Sequence, residues 1–363
     1  MKKFAIIAAL ALIAGAACTK IESTEVQKEI SFEVANHITK AAGVVYNNGA
    51  FGTYAWFNGT DDFMVNEKVD LSAGVWKTID HTFYWPKTGS IDFISYSPFE
   101  GTSDTPGTVP VITKNSITYT DFTVGDVDLM YADKATCSSN VNEITDDALP
   151  GTSDSGYEGV PTLFRHALAK LSFCVKANFL EYTDAVNGGT TQWEVTVNSI
   201  TIGGFYNTGS LALTLNADGK SWDKPAGNVW TSPSGSTADQ ELIASPVTLT
   251  TTAQDITPAT GFVLPQTLTA GAQQVSFSFH IKTTLSNGKI IEEDYSDTKD
   301  LKDISSISAW EMNQNIVYTI NIKPTAAISS DPSDLDDPED ATILFDPAVA
   351  DWETISSDVT IQI

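Results

Sequence analysis

The side chains that most often do chemistry in proteins are few and scattered in this chain of 363 residues. None of its histidines forms the His-Glu-x-x-His pair of a zinc protease, and the four lie far apart in sequence: His37, His81, His166 and His280. The sequence has no Gly-x-Ser-x-Gly elbow, no phosphate-binding glycine-rich loop and no Cys-x-x-Cys pair. Its 46 acidic residues are too many for any two to stand out as a catalytic pair. The sequence therefore predicts a protein that is not an enzyme and that uses no metal or other cofactor.

Tryptophan offers a second kind of site, because an aromatic face can stack on the apolar face of a sugar. The chain has eight tryptophans. Three of them, Trp85, Trp193 and Trp310, lie next to strand patterns, where packing in a sheet or a core is the default role. Glycan binding by exposed tryptophans stays open as an alternative function.

The N-terminus has the pattern of a secretory signal. Two lysines precede an apolar run, Phe4 to Ala17, which is too short for a permanent membrane span but fits a secretory signal peptide. The small residues before Cys18 match the site at which a lipoprotein signal peptidase cuts before the cysteine is diacylated. We expect residues 1–17 to be removed and Cys18 to carry lipid. The alternative is ordinary cleavage after Ala16, which would leave Cys18 a thiol.

The composition excludes several partners. Without residues 1–17 the chain keeps 18 basic and 46 acidic residues, a net charge of −28. Such a surface repels nucleic acid and anionic lipid headgroups, so no nucleic-acid partner is expected. Only Cys137 and Cys174 then remain. Their spacing does not decide whether they pair.

Strand patterns recur along the whole chain. The alternation of two residues that marks half-buried strands occurs in KEISFEV (28–34), QVSFSFHI (274–281) and NIVYTINI (315–322). Asn287-Gly288 separates two strand-like runs and suits a type I′ hairpin turn. Sustained helical periodicity is absent from the sequence. The patterns predict an all-β protein.

Two polar stretches divide the chain. Residues 138–159 are rich in Gly, Ser and Asp, and they are either a long loop or the link between two domains, 18–160 and 161–326. An acidic segment follows in 327–363; it lacks the spacing of an EF-hand loop, so a solvated linker is the better interpretation than a calcium site. The segment ends in a strand pattern, DVTIQI, which either pairs with an earlier strand or is taken up by another molecule.

The order of seven segments is similar to that of a known family. The segments are FYWPKTGSIDFISYSP (83–98), DVDLMYADKA (126–135), LFRHALAKLSFCV (163–175), VNSITIGGFYNTGSL (197–211), GFVLPQTL (261–268), WEMNQNIVYTINI (310–322) and FDPAVADWE (345–353). With the lipoprotein signal, this order resembles the fimbrillins, the lipoprotein-derived pilins and associated subunits of type V pili. The resemblance implies two tandem transthyretin-like β-sandwich domains with a C-terminal donor-strand extension.

The resemblance also implies a route of assembly. In the family's stalk subunits a trypsin-like, usually arginine-specific, protease cuts the first loop of the N-terminal domain, and the first strand leaves with the lipid. The C-terminal strand of the next subunit then fills the vacant groove. Here Ile30, Phe32 and Val34 match the removable strand, and cleavage is expected between Lys40 and Ala41. Lys40 departs from the family pattern, because it stands where the family has arginine. Cleavage by a lysine-tolerant enzyme and retention of the anchor are therefore both open.

The expected donor strand lies at the other end of the chain. Strand addition uses main-chain hydrogen bonds and pockets for alternate side chains, so the expected pocket fillers are Val359, Ile361 and Ile363. Ile343 and Phe345 are expected to form a second part of the donated extension. The alternative is that these strands fold back onto their own domain, as in an anchor or capping subunit.

The sequence analysis gives two hypotheses for the function. The first is a structural subunit of a cell-surface fimbrium, exported to the outer membrane as a lipoprotein, partnered by other fimbrial subunits and supporting adhesion and biofilm formation. The second is a monomeric outer-membrane lipoprotein that binds glycans.

Overall fold

The described part of the chain is mainly β-strand with very little helix, so the all-β prediction is confirmed. A computed structural model describes residues 29–36, 46, 48–86, 88–99, 109–138, 159–183, 188–235, 239–258, 261–304, 307–323 and, as backbone, 342–351. Nine strands precede residue 139 in the described part: β1 Phe32–Asn36, β2 Phe51–Phe57, β3 Asp61–Ser72, β4 Val75–Thr78, β5 Ser90–Ser97, β6 Val111–Thr113, β7 Ser116–Thr123, β8 Met130–Ala132 and β9 Ala135–Ser138.

The described residues after 158 form seventeen further strands and two single helical turns. The strands are β10 Val160–His166, β11 Ala169–Ala177, β12 Glu181–Thr183, β13 Thr190–Gly203, β14 Thr208–Leu215, β15 Trp222–Asp223, β16 Thr231–Ser234, β17 Gln240–Ile243, β18 Val247–Thr248, β19 Gln254–Asp255, β20 Phe262–Val263, β21 Gln266–Thr267, β22 Gln274–Thr284, β23 Ile290–Asp300, β24 Ala309–Trp310, β25 Gln314–Lys323 and β26 Thr342–Asp351. The helical turns are Ala226–Asn228, of the 3₁₀ type, and α1, Leu301–Ile304.

The first sheet closes on itself. Its strands follow the order β2-β3-β4-β1-β10-β8-β5, and β5 pairs again with β2, while β9 adds to β5. Aromatic and aliphatic side chains from these strands fill the interior, among them Phe51, Val69, Ile91 and Phe93, each at most 2% exposed. β1 lies between β4 and β10 in this order, so it is an inner strand and not an edge.

Two further sheets pack face to face in the second half of the chain. One contains β11, β25 and β26, with β19 and β20 beside β11, and the other contains β12, β13, β22 and β23. Alternate residues of β11, β22 and β25 are buried between them, as the two-residue period predicts. Phe173 and Tyr318 stack at a ring-centroid distance of 5.5 Å in this core. This part of the chain is a β-sandwich.

A smaller sheet joins the two halves. β7 from the first half pairs with β14 from the second half, flanked by β6, β15 and β16. The cluster beneath it combines side chains from both halves, including Tyr96, Tyr119, Leu213 and Trp230. The chain passes from the first sheet to the sandwich at Ala167 and Leu168, between β10 and β11. The division at 160/161 stays a prediction, with the change of sheet a few residues beyond it.

One turn differs from its prediction. β22 and β23 form the expected hairpin, but only Gly288 of the pair has a positive φ, 81°. The Asn287 side chain instead accepts a hydrogen bond from the backbone N–H of Lys289 at 2.9 Å. That bond offers Asn287 an alternative to the left-handed conformation that a type I′ turn requires.

Candidate functional site

The predicted removable strand lies between two strands of the closed sheet. β1 runs parallel to β10, with Phe32 opposite Val160 and Asn36 opposite Phe164. On its other side Phe32 pairs antiparallel with Trp76 of β4. The N–H of Ile30 donates to the carbonyl of Phe83 at 2.9 Å, and the N–H of Val160 donates to the carbonyl of Ser31 at 2.7 Å. Loss of β1 would therefore open the sheet along β4 and β10.

The side chains of β1 and of the residues just before it anchor this segment in the core. Ile30 is 1% exposed and Phe32 is 4% exposed. The Phe32 ring meets Phe51 and Phe93 edge-on, at centroid distances of 5.7 Å and 5.8 Å. Val34 is partly buried and packs against the same cluster. The alternation that the sequence predicted for these three residues is confirmed; the removal of the strand stays a prediction.

Gly159 allows the backbone of β1 to lie close to the start of β10. A Cβ at this position would lie 2.8 Å from the carbonyl carbon of Phe32 and 2.8 Å from the carbonyl oxygen of Ser31. These are backbone atoms, which cannot move aside as a flexible side chain would. Glycine is therefore required where the chain enters β10 beside β1.

A polar network lies at one end of the first sheet. Tyr46 and Ser97 hydroxyls are 2.8 Å apart, and the Asn48 Nδ2 donates to Ser97 Oγ at 2.8 Å and to the Asp128 carbonyl at 2.7 Å. Burial raises the pKa of Tyr46 well above its ordinary value, so its phenol stays neutral. Burial likewise raises the pKa of Asp128, against the opposing effect of its hydrogen bond with His166. The network ties residues 46 and 48 to the end of β5.

The second candidate segment, β26, pairs within its own chain. It runs antiparallel to β25 over ten residue pairs, with Ile343 opposite Ile322 and Phe345 opposite Ile320. β25 is covered on its other side by β11, so β26 occupies what would otherwise be an open sheet edge. In the single chain Ile343 and Phe345 thus belong to the sandwich, which is the fold-back alternative. Whether they leave it during assembly stays a prediction.

The structure does not describe the remaining predicted site residues. Six of them lie outside the described residues: Cys18, Lys40, Ala41, Val359, Ile361 and Ile363. Their roles stay predictions.

The sequence did not identify the residues that line the groove around β1. Tyr46, Phe51, Trp76, Phe93 and Phe164 surround it. Each is an aromatic residue in or beside a strand pattern, so its burial could be anticipated. Its position beside β1 could not, because that depends on pairing between distant strands.

The only arginine of the chain is held inside this sheet. Arg165 lies in β10, between β1 and β8, and its Nε and Nη2 donate to the two carboxylate oxygens of Asp133 at 2.8 Å and 2.6 Å. Cleavage after it would require β10 to leave the sheet, because a protease needs access to the substrate backbone and the backbone of β10 is paired with β1 and β8. We expect an arginine-specific protease to leave the folded precursor intact, and a lysine-specific protease to give a first product that begins at Ala41.

The control for this prediction is Lys40→Arg, which should make the precursor sensitive to the arginine-specific enzyme at the same bond. N-terminal sequencing of the products identifies the bond. Cleavage after Arg165 in the folded wild-type precursor would contradict the prediction.

The tryptophans do not form an exposed platform in the described part of the chain. Trp56, Trp193, Trp222, Trp230 and Trp310 are buried, and Trp76 and Trp85 are partly buried against the first core. A surface cleft of 320 Å³ is lined by Tyr206, Asp126 and Asp239 among others, with no tryptophan among its lining residues. Core packing therefore accounts for the seven tryptophans that the structure describes; Trp352 lies outside the described residues.

No helix among the described residues is long and apolar enough to cross a membrane. The fold defines the chain as an all-β protein of packed sheets. It belongs to the fimbrillin-like family, whose model matches residues 39–352. Membership implies a cell-surface location and association with other fimbrial components.

Solved structures that are similar to this chain at low sequence identity include proteins from Bacteroides, Parabacteroides and Porphyromonas. A candidate cell adhesion protein from Bacteroides uniformis is 19% identical, with a TM-score of 0.43, over 91% of this chain and 99% of that one. Another from Parabacteroides distasonis is 12% identical, with a TM-score of 0.39, over 92% and 98% of the two chains. The fimbrial anchor protein Mfa2 from Porphyromonas gingivalis is 10% identical, with a TM-score of 0.26, over 89% and 97%. No curated protein matches the sequence.

Proposed function

We propose that this protein is a structural subunit of a cell-surface fimbrium and that it polymerises by donor-strand exchange. Its role involves no catalysis. The proposal rests on the position of β1, a short strand inserted between β4 and β10 and anchored by Ile30 and Phe32. A single strand of this kind can be replaced by another strand, because main-chain hydrogen bonds and alternate side chains supply the whole contact.

The maturation step follows from the position of Lys40. The chain is exported as a lipoprotein on Cys18 and is held at the outer membrane. Cleavage between Lys40 and Ala41 separates β1 from the body of the protein, and β1 then leaves with the lipid. The groove presents two unpaired strand edges and an apolar floor, which together favour capture of another strand.

The donor is the C-terminal strand of the next subunit, with Val359, Ile361 and Ile363 in the pockets. A donor and an acceptor on different surfaces form a heterologous interface, which propagates a filament. The filament supports adhesion and biofilm formation.

We assign β26 to the sandwich of its own subunit and the donated strand to the residues after 351. Ten residue pairs with β25 support this assignment, since the release of β26 would expose the whole edge of β25. A disulfide between Asn321→Cys and Leu344→Cys, which are opposite each other in register, would lock β26 to β25. We expect the locked protein to polymerise as the wild type does.

The controls for this crosslink are the two single cysteine variants and the reduced double variant. Polymers that form only after reduction would show that β26 is itself donated, as the sequence analysis expected for Ile343 and Phe345.

The experiment that tests the proposed function is deletion of residues 358–363. We expect the deletion to abolish polymers in native cells while the monomer is still exported and processed. Electron microscopy of sheared surface material and immunoblotting of unheated samples measure the polymers. Polymers of normal length from the deletion variant would overturn donor-strand exchange through this segment.

A further inference from the structure

Tyr46 connects the two strands that β1 separates. Its ring stacks on Phe164 of β10 at a centroid distance of 5.0 Å and an interplanar angle of 15°. It also meets Trp76 of β4 edge-on at 5.4 Å. These are strand residues opposite β1 itself, since Phe32 pairs with Trp76 and Asn36 pairs with Phe164. Tyr46 thus lies beneath the groove and contacts both of its walls.

Tyr46 and β1 lie on opposite sides of the expected cleavage bond. It comes six residues after Lys40, so cleavage at that bond leaves it with the body of the protein. It is 8% exposed, and its hydroxyl contacts that of Ser97, which is fully buried. The Asn48 amide donates to the same Ser97 oxygen, which fixes the chain again two residues later.

A groove without its strand has a physical tendency to close. Adjacent strands are spaced by about 4.8 Å, so removing β1 leaves β4 and β10 separated by roughly twice that distance over an apolar floor. Burial of the exposed apolar surface would draw the two walls together. A collapsed groove would have to reopen before it could accept a strand, which reduces the binding-competent fraction of the protein.

We propose that Tyr46 is the spacer that keeps the groove open between the loss of β1 and the arrival of the donor strand. The inference rests on the proposed function, because an open groove matters only if β1 is replaced. The occupant that the groove fits is an apolar β-strand with large side chains at alternate positions, as Ile30 and Phe32 show. Tyr46 sets the width of the groove, and the floor residues Phe51 and Phe93 set the depth of its central pocket.

The test uses the soluble precursor, residues 19–363, with a specific protease site in place of residues 38–42. After cleavage and removal of the N-terminal fragment in mild urea, the body is mixed with a fluorescent peptide of residues 27–37. Fluorescence anisotropy then gives the association and dissociation rate constants. We expect Tyr46→Ala to slow association about tenfold or more, since fewer molecules hold an open groove. The dissociation rate should change by less than about threefold, because a bound strand itself holds the walls apart.

Two matched variants distinguish a spacer from ordinary core packing. Tyr46→Phe keeps both ring contacts and loses only the hydroxyl, so it should associate nearly as fast as the wild type. Phe57→Ala removes another partly buried aromatic of the same cluster, from a residue that pairs with Asp61 and Ile91 and not with β4 or β10, and it should leave the association rate unchanged.

Three results would contradict the spacer role of Tyr46. Fast association by Tyr46→Ala, equal slowing by Phe57→Ala, or failure of the wild-type body to bind the peptide would overturn the spacer role. A peptide of residues 352–363 is measured in parallel. If the wild-type body binds its own first strand but not this peptide, donor-strand exchange through the C-terminus is wrong, while the spacer role stands or falls on the association rates of the first-strand peptide.

Discussion

Replacement of Phe32 by alanine should destabilise the precursor strongly and leave the assembled fimbrium unaffected. Phe32 is 4% exposed and its ring makes two edge-on aromatic contacts, with Phe51 and Phe93. Truncation of a buried Phe to Ala typically costs about 3–5 kcal/mol of unfolding free energy, through lost transfer energy and the cavity left behind. Because the proposed maturation removes β1, the same substitution should have no effect on the polymer.

Urea unfolding, followed by tryptophan fluorescence, measures this effect in the unlipidated precursor, residues 19–363. The midpoint of polymer disassembly in denaturant measures it in the fimbrium. The matched control is Phe173→Ala, which truncates a ring that is 2% exposed and stacked on Tyr318 in the sandwich. Phe173 is retained in the mature subunit, so this variant should lower both midpoints.

Comparison of the two variants shows whether β1 still occupies the groove in the fimbrium. A polymer of the Phe32→Ala variant that disassembles as early as that of Phe173→Ala would mean that β1 still occupies the groove in the fimbrium. In that case the proposed exchange would be wrong, although the fold of the precursor would be unchanged.

The second large effect is expected from a charge on the inward face of the donor strand. In DVTIQI, Ile361 alternates with Thr360 and Gln362, so Ile361 points into the acceptor groove if the strand is added in register. Ile361→Lys would place an unpaired ammonium in an apolar pocket, and an uncompensated buried charge costs roughly 3–5 kcal/mol. A loss of this size lowers the binding constant by a factor of about 100 or more, which should abolish polymers.

Thr360→Lys is the control for this variant, because it adds the same charge to the opposite face of the same strand. We expect it to polymerise, with export of both variants equal to that of the wild type. The ratio of polymer to monomer in sheared surface material is the measurement. If both lysine variants lose their polymers, or neither does, the donor strand is not recognised by alternate side chains.

Local patterns in the sequence predicted the strands correctly where one face is buried. The burial of Val275, Phe277, Phe279 and Ile281 follows from the two-residue period of a strand on a core, and so does that of Ile30 and Phe32. Such a pattern is a property of one segment, so it requires no knowledge of the neighbouring strand. The all-β class and most strands could therefore be predicted.

Pairing between distant segments could not be predicted from the same patterns. The parallel pairing of β1 with β10 and the pairing of β7 with β14 join residues that are far apart in sequence. Which strands pair depends on the whole fold, and the apolar alternation of β1 is compatible with many neighbours. For this reason the groove residues Tyr46, Trp76 and Phe164 emerge only from the structure.

The two candidate segments, β1 and β26, differ in how much of their role could be predicted from the sequence. The resemblance to a family indicated the first strand as the segment to be removed, and the structure places that strand between β4 and β10. The pairing of β26 with β25 follows instead from the need to cover a sheet edge, a requirement that the pattern of β26 does not reveal.

The most direct test of the account is the N-terminus of the protein sheared from the surface of its native cells. Intact mass measurement and N-terminal sequencing give the result together. We predict a chain that begins at Ala41, lacks β1 and ends in DVTIQI. A chain that begins only at diacylated Cys18 would contradict it, because Ile30 and Phe32 would then still fill the groove.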